Sequence, residues 1–261
     1  MIGFFIKKNF FDGWDHILSL VFPNMLIFAL VIGGYFFADV ALNLSLLASL
    51  LILCVFWCGT FIAIFAFGSC AAEIANFKSV SFKDWLKNFP SVWKDGLIFG
   101  LVTGILATLG IITIPFYLQM EGMIGLFLAA LVFWFLLVCV LAFQWVLPIR
   151  SLMNNDLKKS IKKSFIIFFD NPGFSLFMFL YTIFLTVLSI AFFMLAPSFC
   201  GIVLAHTNGL RLRLYKYDWL EEHPDASPAE KKHIPWKELV AEDRENVGPR
   251  TLKNFIFPWK E

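Results

Sequence analysis

All 21 Lys and Arg residues of this 261-residue chain fall within four patches, at residues 7–8, 78–94, 150–163 and 211–260. The stretches between the patches are long, apolar and free of cations. Hydrocarbon strips a charge of its hydration, so Lys and Arg are kept out of a bilayer and gather on its cytoplasmic side. This pattern gives both a class and an orientation: a multi-pass membrane protein with its N- and C-termini in the cytoplasm. Composition agrees, since a chain that is 59% hydrophobic and 15% charged lies outside the range of water-soluble domains. Its 33 Phe fill helix surfaces that face lipid or each other, and its nine Trp suit the two interfaces.

Six spans are expected, at about residues 16–37, 42–67, 96–118, 122–147, 172–193 and 196–212. Each of the first five approaches or exceeds the roughly 20 residues that cross a bilayer core. The sixth is the weakest, because His206, Thr207 and Asn208 interrupt a short apolar run. Arg211 and Arg213 at its end are expected to reach the inner headgroups. Connections at 38–41 and 119–121 carry Asp39 and Glu121 but no cation, so they are placed outside. Residues 1–215 form the expected transmembrane domain, and residues 216–261 a short cytoplasmic tail. Within the tail, Ser227-Pro228 and Pro235-Trp236 read as helix starts and Gly248 as a stop. From Arg211 onward, ten basic and ten acidic residues balance, so the tail offers no basic platform for nucleic acid.

A short pattern recurs. Lys8-Asn9-Phe10 is followed by Trp14, Lys87-Asn88-Phe89 by Trp93, and Lys163-Ser164-Phe165 by Phe169. Each copy precedes a pair of spans, and Lys253-Asn254-Phe255 with Trp259 repeats it at the C-terminus. Aromatic residues at i and i+4 beside a Lys suit a helix lying in the headgroup layer, rings down and ammonium up. The expected fold is therefore all-α: a helix bundle of three hairpins, each preceded by an interfacial helix.

Gly96, Gly100 and Gly104 repeat at four-residue intervals in the third span and let another helix approach closely. They read as packing against a neighbouring span, with a dimer seam as the alternative. His206, Asn208 and Arg211 are candidates for a polar contact at the inner mouth of the bundle. Asn24, Thr103 and Gln144 suit interhelical hydrogen bonds better than a polar path. Cys54, Cys58, Cys70, Cys139 and Cys200 have no His at ligand spacing and read as small packing residues. No nucleophile–base set, carboxylate pair, metal motif or phosphate loop is found, so no enzyme, metal or cofactor is expected.

Gly68-Ser69-Cys70-Ala71-Ala72, followed by Ser81-Phe82-Lys83-Asp84-Trp85-Leu86-Lys87-Asn88-Phe89 and Asp95-Gly96, resembles the N-terminal half of the YesL-like family of bacterial membrane proteins. The segment from Leu147-Pro148-Ile149 through Leu157-Lys158-Lys159-Ser160-Ile161-Lys162-Lys163 to Asn171-Pro172 resembles its second half. The resemblance covers roughly residues 40–195. Ser69 replaces the family's proline, and the long tail is atypical. Some members are encoded beside sugar ABC transporters, so the resemblance implies an accessory or scaffold protein of a transporter or envelope complex, with membrane lipids and an ABC-type transporter as partners. The alternative is a small-solute permease or channel built from the three repeated hairpins.

Overall fold

With no water to bond them, backbone groups in an apolar run close hydrogen bonds within their own helix. The computed structural model describes residues 1–225, 227, 230 and 234–250, and these form helices joined by short connections. They are α1 (Ile2–Asp15), α2 (Ile17–Leu42), α3 (Leu46–Ala75), α4 (Phe82–Leu118), α5 (Met123–Phe143), α6 (Val146–Met153), α7 (Leu157–Asp170), α8 (Pro172–Ala191), α9 (Ser198–Glu222), α10 (Trp236–Leu239) and α11 (Ala241–Val247). Five stretches are long and apolar enough to cross a membrane: α2, α3, α4, the run Met123–Met153 through α5 and α6, and α8. The chain is a helical, multi-span membrane protein.

Local chemistry sets the helix ends. Ser45 accepts from the Ala48 amide at the start of α3 (3.1 Å). Ser81 and Asp84 close the start of α4, with the Asp84 carboxylate taking both the Ser81 amide (3.0 Å) and hydroxyl (2.7 Å). Pro172 begins α8 where its missing donor costs nothing. Gly248, at φ +74°, ends α11.

The interfacial helices differ from expectation in the second repeat. α1 and α7 are separate helices, but the second copy is the opening of α4 itself, which runs unbroken through Asp95-Gly96 into the span. Pro90 sits inside this helix without ending it. Among the anchors, Phe10 and Trp14 stack with ring planes 6° apart. Phe89 turns onto Trp85 (5.0 Å), while Trp93 is exposed. Phe165 packs on Phe143 (5.9 Å), and Phe169 stands exposed beside Phe168. Phe255 and Trp259 lie outside the described residues.

α3 and α4 make the closest helix pair. A Cβ at Gly96 would lie 2.7 Å from the Ile62 Cα, and one at Gly100 would lie 3.2 Å from the Cys58 Cα. Gly104 faces the Trp57 ring, whose indole N–H donates to the Gly100 carbonyl (2.9 Å). The three glycines therefore lie against α3 within the same chain. Phe61 and Phe65 from α3, Phe99 from α4 and Phe143 from α5 fill the interior between these helices, ring against ring at 5.3–5.6 Å.

The expected sixth span takes a different form. α9 is not among the five apolar spans, since His206, Thr207, Asn208, Arg211 and Arg213 make it too polar. Its start is fixed by Asn24 of α2, whose amide donates to the carbonyls of Leu195 and Pro197 (2.9 Å each) and whose oxygen accepts from the Cys200 amide (2.9 Å). The Ser198 amide donates to Ser189 Oγ at the end of α8 (2.7 Å). The tip joining α8 to α9 is thus level with Asn24, and α2 continues from Met25 to Leu42, about 27 Å at 1.5 Å per residue. The tip stops well short of the far end of α2. α9 also runs straight through residue 215, so it joins the expected membrane domain to the tail as one rod.

Replacing Gly96 by Val should destabilise the protein by about 1–3 kcal/mol, because the new side chain meets α3 backbone rather than a movable side chain. Gly104→Ala, which meets only the Trp57 ring at 3.4 Å, should cost less. Thermal unfolding of both variants in the same detergent compares them.

Candidate functional site

The interior polar chemistry of the described residues concentrates where α1 lies across α9. Lys8, Asn9 and Asp12 project from one face of α1, and all are buried; Lys8 has no exposed surface at all. A Lys followed four residues later by an Asp shares a helix face, and Lys8 Nζ meets Asp12 Oδ2 at 2.9 Å. The same carboxylate accepts from Asn208 Nδ2 of α9 (2.9 Å), which also approaches Asn9 Oδ1 (3.4 Å). Asn9 Nδ2 in turn donates to the Tyr181 hydroxyl of α8 (3.2 Å). The Lys8 ammonium lies 3.6 Å from the centre of the Phe77 ring. Burial pushes the Lys8 ammonium down and the Asp12 carboxyl up, and each charge pulls the other back toward its ionised form.

This overturns the expected role of Lys8. Its ammonium does not reach headgroups but closes a network inside the protein, because Asp12 lies one turn away and Asn208 meets it from α9.

Arg211, one turn beyond Asn208, faces the tail. Its guanidinium meets Asp243 of α11 at 3.0 Å (Nη2–Oδ1) and 3.4 Å (Nε–Oδ2), the Tyr215 hydroxyl at 2.7 Å, and the Asn76 side-chain oxygen. Tyr215 also donates to Asp243 Oδ1 (3.1 Å). Arg213 lies 3.9 Å over the Phe174 ring. Neither arginine reaches away from the protein as expected, because each finds a partner against it. The tail is fastened twice more, by Lys7 Nζ to the Gly248 carbonyl (2.9 Å) and by Arg250 to both oxygens of Asp15 (2.9 Å each). These contacts hold α11, Gly248 and Arg250 against α1.

His206 faces the other way. Its Nε2 pairs with Thr182 Oγ1 of α8 (2.9 Å), and its ring lies 6.3 Å from that of Trp145, whose indole N–H donates to Ser175 Oγ (2.9 Å). The structure therefore joins Asn208 and Arg211 in one seam and separates His206 from it. Gln144 bridges to the Ser175 carbonyl (2.9 Å), and Thr103 bonds back to Phe99 in its own helix (2.9 Å). All five cysteines are free. Among the described residues, no three His, Cys, Asp or Glu side chains converge as a metal site.

Sequence reasoning singled out Asn208 and Arg211, gave Lys8 a headgroup role, and missed Asp12 and Asp243. The four-residue spacing of Lys8 and Asp12 was a usable signal. Nothing local marked Asp243, one acid among many in a balanced tail. No family model, curated protein or solved structure matches the chain.

A second polar junction ties the start of α8 to α9. The Tyr217 hydroxyl donates to Asp170 (2.6 Å), and Lys216 approaches the same carboxylate (3.5 Å). The Tyr217 hydrogen bond, then Lys216 and Asn171, hold the Asp170 carboxyl below its usual range. A carboxyl whose pKa falls on folding stabilises the fold above the ordinary carboxylate range, and that contribution disappears as pH drops through the lowered value.

Two outcomes are expected. Lys8→Met or Asp12→Leu alone should cost about 3–5 kcal/mol by leaving a buried charge unpaired, whereas the double variant should recover most of the loss. Denaturation of the four proteins in one detergent reads this directly. Tyr217→Phe should lower the unfolding temperature most near about pH 6 and flatten its decline toward about pH 3, so that the gap to the parent chain narrows as pH falls.

Proposed function

We infer that the protein is a non-enzymatic scaffold or accessory subunit of the bacterial cytoplasmic membrane, holding a membrane complex together through its span surfaces. The observation that carries this reading is the aromatic filling of the interior. Phe61, Phe65, Phe99, Phe143 and Phe165 run ring against ring through the space between α3, α4, α5 and α7, where a solute path would need polar lining. Polar groups near this core, Asn24 and Gln144 among them, bond to the backbone of neighbouring elements.

The outward surfaces of α4 and α5 carry large exposed apolar side chains, including Ile112, Phe116, Leu126, Phe127 and Trp134. In a membrane these meet lipid or another span. The resemblance to the YesL-like family, some of whose members are encoded beside sugar ABC transporters, supports an ABC-type transporter as the partner. The basic patches favour cytoplasmic termini, and the shallow α8–α9 tip fits a hairpin that enters from the cytoplasmic side and returns.

A photo-crosslinker at Leu126 or Ile112 in native membranes should yield one discrete adduct with a transporter subunit, while the purified protein in liposomes should pass no small solutes. Solute flux through liposomes, or adducts with lipid alone at every position on both helices, would overturn the scaffold reading.

A further inference from the structure

α11 is a seven-residue polar helix, AEDRENV, yet it buries an acid. Its buried residues are Asp243 and Val247, and Val240 just before it is also buried. Positions 240, 243 and 247 recur at three and four residues, so they form one stripe. The rest of α11 is exposed. An isolated carboxylate in such a stripe would lose its hydration for little return. Here it is received by a prepared pocket, with two guanidinium nitrogens of Arg211 and the Tyr215 hydroxyl converging on it and the Lys8 ammonium adding its field from behind.

The donors belong to α9 and the acceptor to a short helix on a connecting segment. Arg211 is held in place without Asp243, since Asn76 and Tyr215 also bond it and the Phe77 ring lies beneath it at 5.7 Å. A guanidinium fork backed by a hydroxyl fits a phosphate group as well as a carboxylate. Besides Asp243, α11 is held by two valines, by Arg244 set 5.7 Å over the Phe4 ring, and by the Lys7 and Arg250 ties at its far end. An open groove of about 680 Å³ runs beside it, lined by Phe4, Lys7, Arg244 and Glu245 among others. The groove opens against the outer side of α11 and presents the Lys7 and Arg244 cations to an approaching anion.

We propose that Arg211 and Tyr215 form a phosphate-binding site on the face shared by α1 and α9, and that the chain keeps this site closed with its own Asp243, α11 being a strap that a phosphate-bearing ligand displaces. The phosphate group belongs to an anionic lipid headgroup or to a free phosphate; both present the same three-oxygen face to the guanidinium. The strap is favoured while no ligand is present because it is tethered, which keeps Asp243 at high effective concentration. The site stands independently of the scaffold reading.

Hydrogen exchange of residues 240–247 in the full-length protein tests this. In nanodiscs of phosphatidylcholine the segment should be protected. Adding phosphatidylglycerol to the nanodisc, or inorganic phosphate to the buffer, should lower that protection at least tenfold, and the arm that does so names the source. Asp243→Asn should lower it in phosphatidylcholine alone. Arg211→Gln should show a loosened segment that responds to neither addition, and Arg211→Lys, which keeps the charge but loses the fork, guards against a misfolded variant and should respond weakly. The proposal fails if neither addition changes protection. It also fails if sodium chloride at equal ionic strength has the same effect, or if either arginine variant keeps a docked segment that the additions still release.

Discussion

Three hydrogen bonds from one side chain hold the chain where it leaves helical geometry between α8 and α9. The carbonyl of Leu195 and the amide of Cys200 fall outside the regular helix ladder, and the carboxamide of Asn24 meets both while adding a second bond to the Pro197 carbonyl, which already takes the Gly201 amide (2.8 Å). In an apolar interior each unmet group would cost several kcal/mol, about the size of the entire stability of a small domain. Asn24 thereby sets the depth at which α9 begins. That depth puts Asn208 opposite Asp12 and Arg211 opposite Asp243, so the polar seam and the tail's docking both follow from it.

Much of this architecture was legible in the sequence because hydrocarbon imposes a simple rule. Apolar runs long enough to cross were visible as such, and α2 through α5 and α8 lie where those runs are. The first connection came out shifted, at Asn43–Ser45 rather than 38–41, since the helix continues until Ser45 can cap the next, while the one expected at 119–121 lies at 119–122. Pro235-Trp236 and Gly248 mark where α10 begins and α11 ends, but the one helix expected between them is broken at Val240, and the start read at Ser227-Pro228 lies mostly outside the described residues. The second interfacial helix failed as a separate element because nothing at Asp95-Gly96, where the third span was expected to open, breaks a helix already running from the Ser81–Asp84 cap.

The site was harder to read, and for one physical reason. A Lys in a membrane protein has two good solutions, snorkelling to headgroups or burial against a carboxylate, and local sequence does not choose between them. For Lys8 the choice is made by Asn208, some 200 residues away in the chain. Asp243 is the same case at shorter range, since only the arrival of α11 over Arg211 and Tyr215 separates it from the solvated acids around it. By contrast, Gly96, Gly100 and Gly104 were legible as a close-packing strip because their spacing alone puts them on one face, whatever the partner.

The buried Lys8–Asp12 pair adds little to stability by comparison with apolar residues of the same size, because two desolvated charges must first be made whole. Its effect lies in register. Successive residues on a helix point about 100° apart. Rolling α1 by one position would keep the pair together but turn Asp12 from Asn208 and Lys8 from the Phe77 ring. The buried charges would then lack the partners that other elements supply. α1 is therefore locked in rotation against α9, and with it Lys7, whose ammonium holds the Gly248 carbonyl, and Asp15, which holds Arg250. The charge pair at the centre of the seam thus decides where the tail can dock at its rim, and the anion pocket and the helix that fills it are aligned by a contact that touches neither.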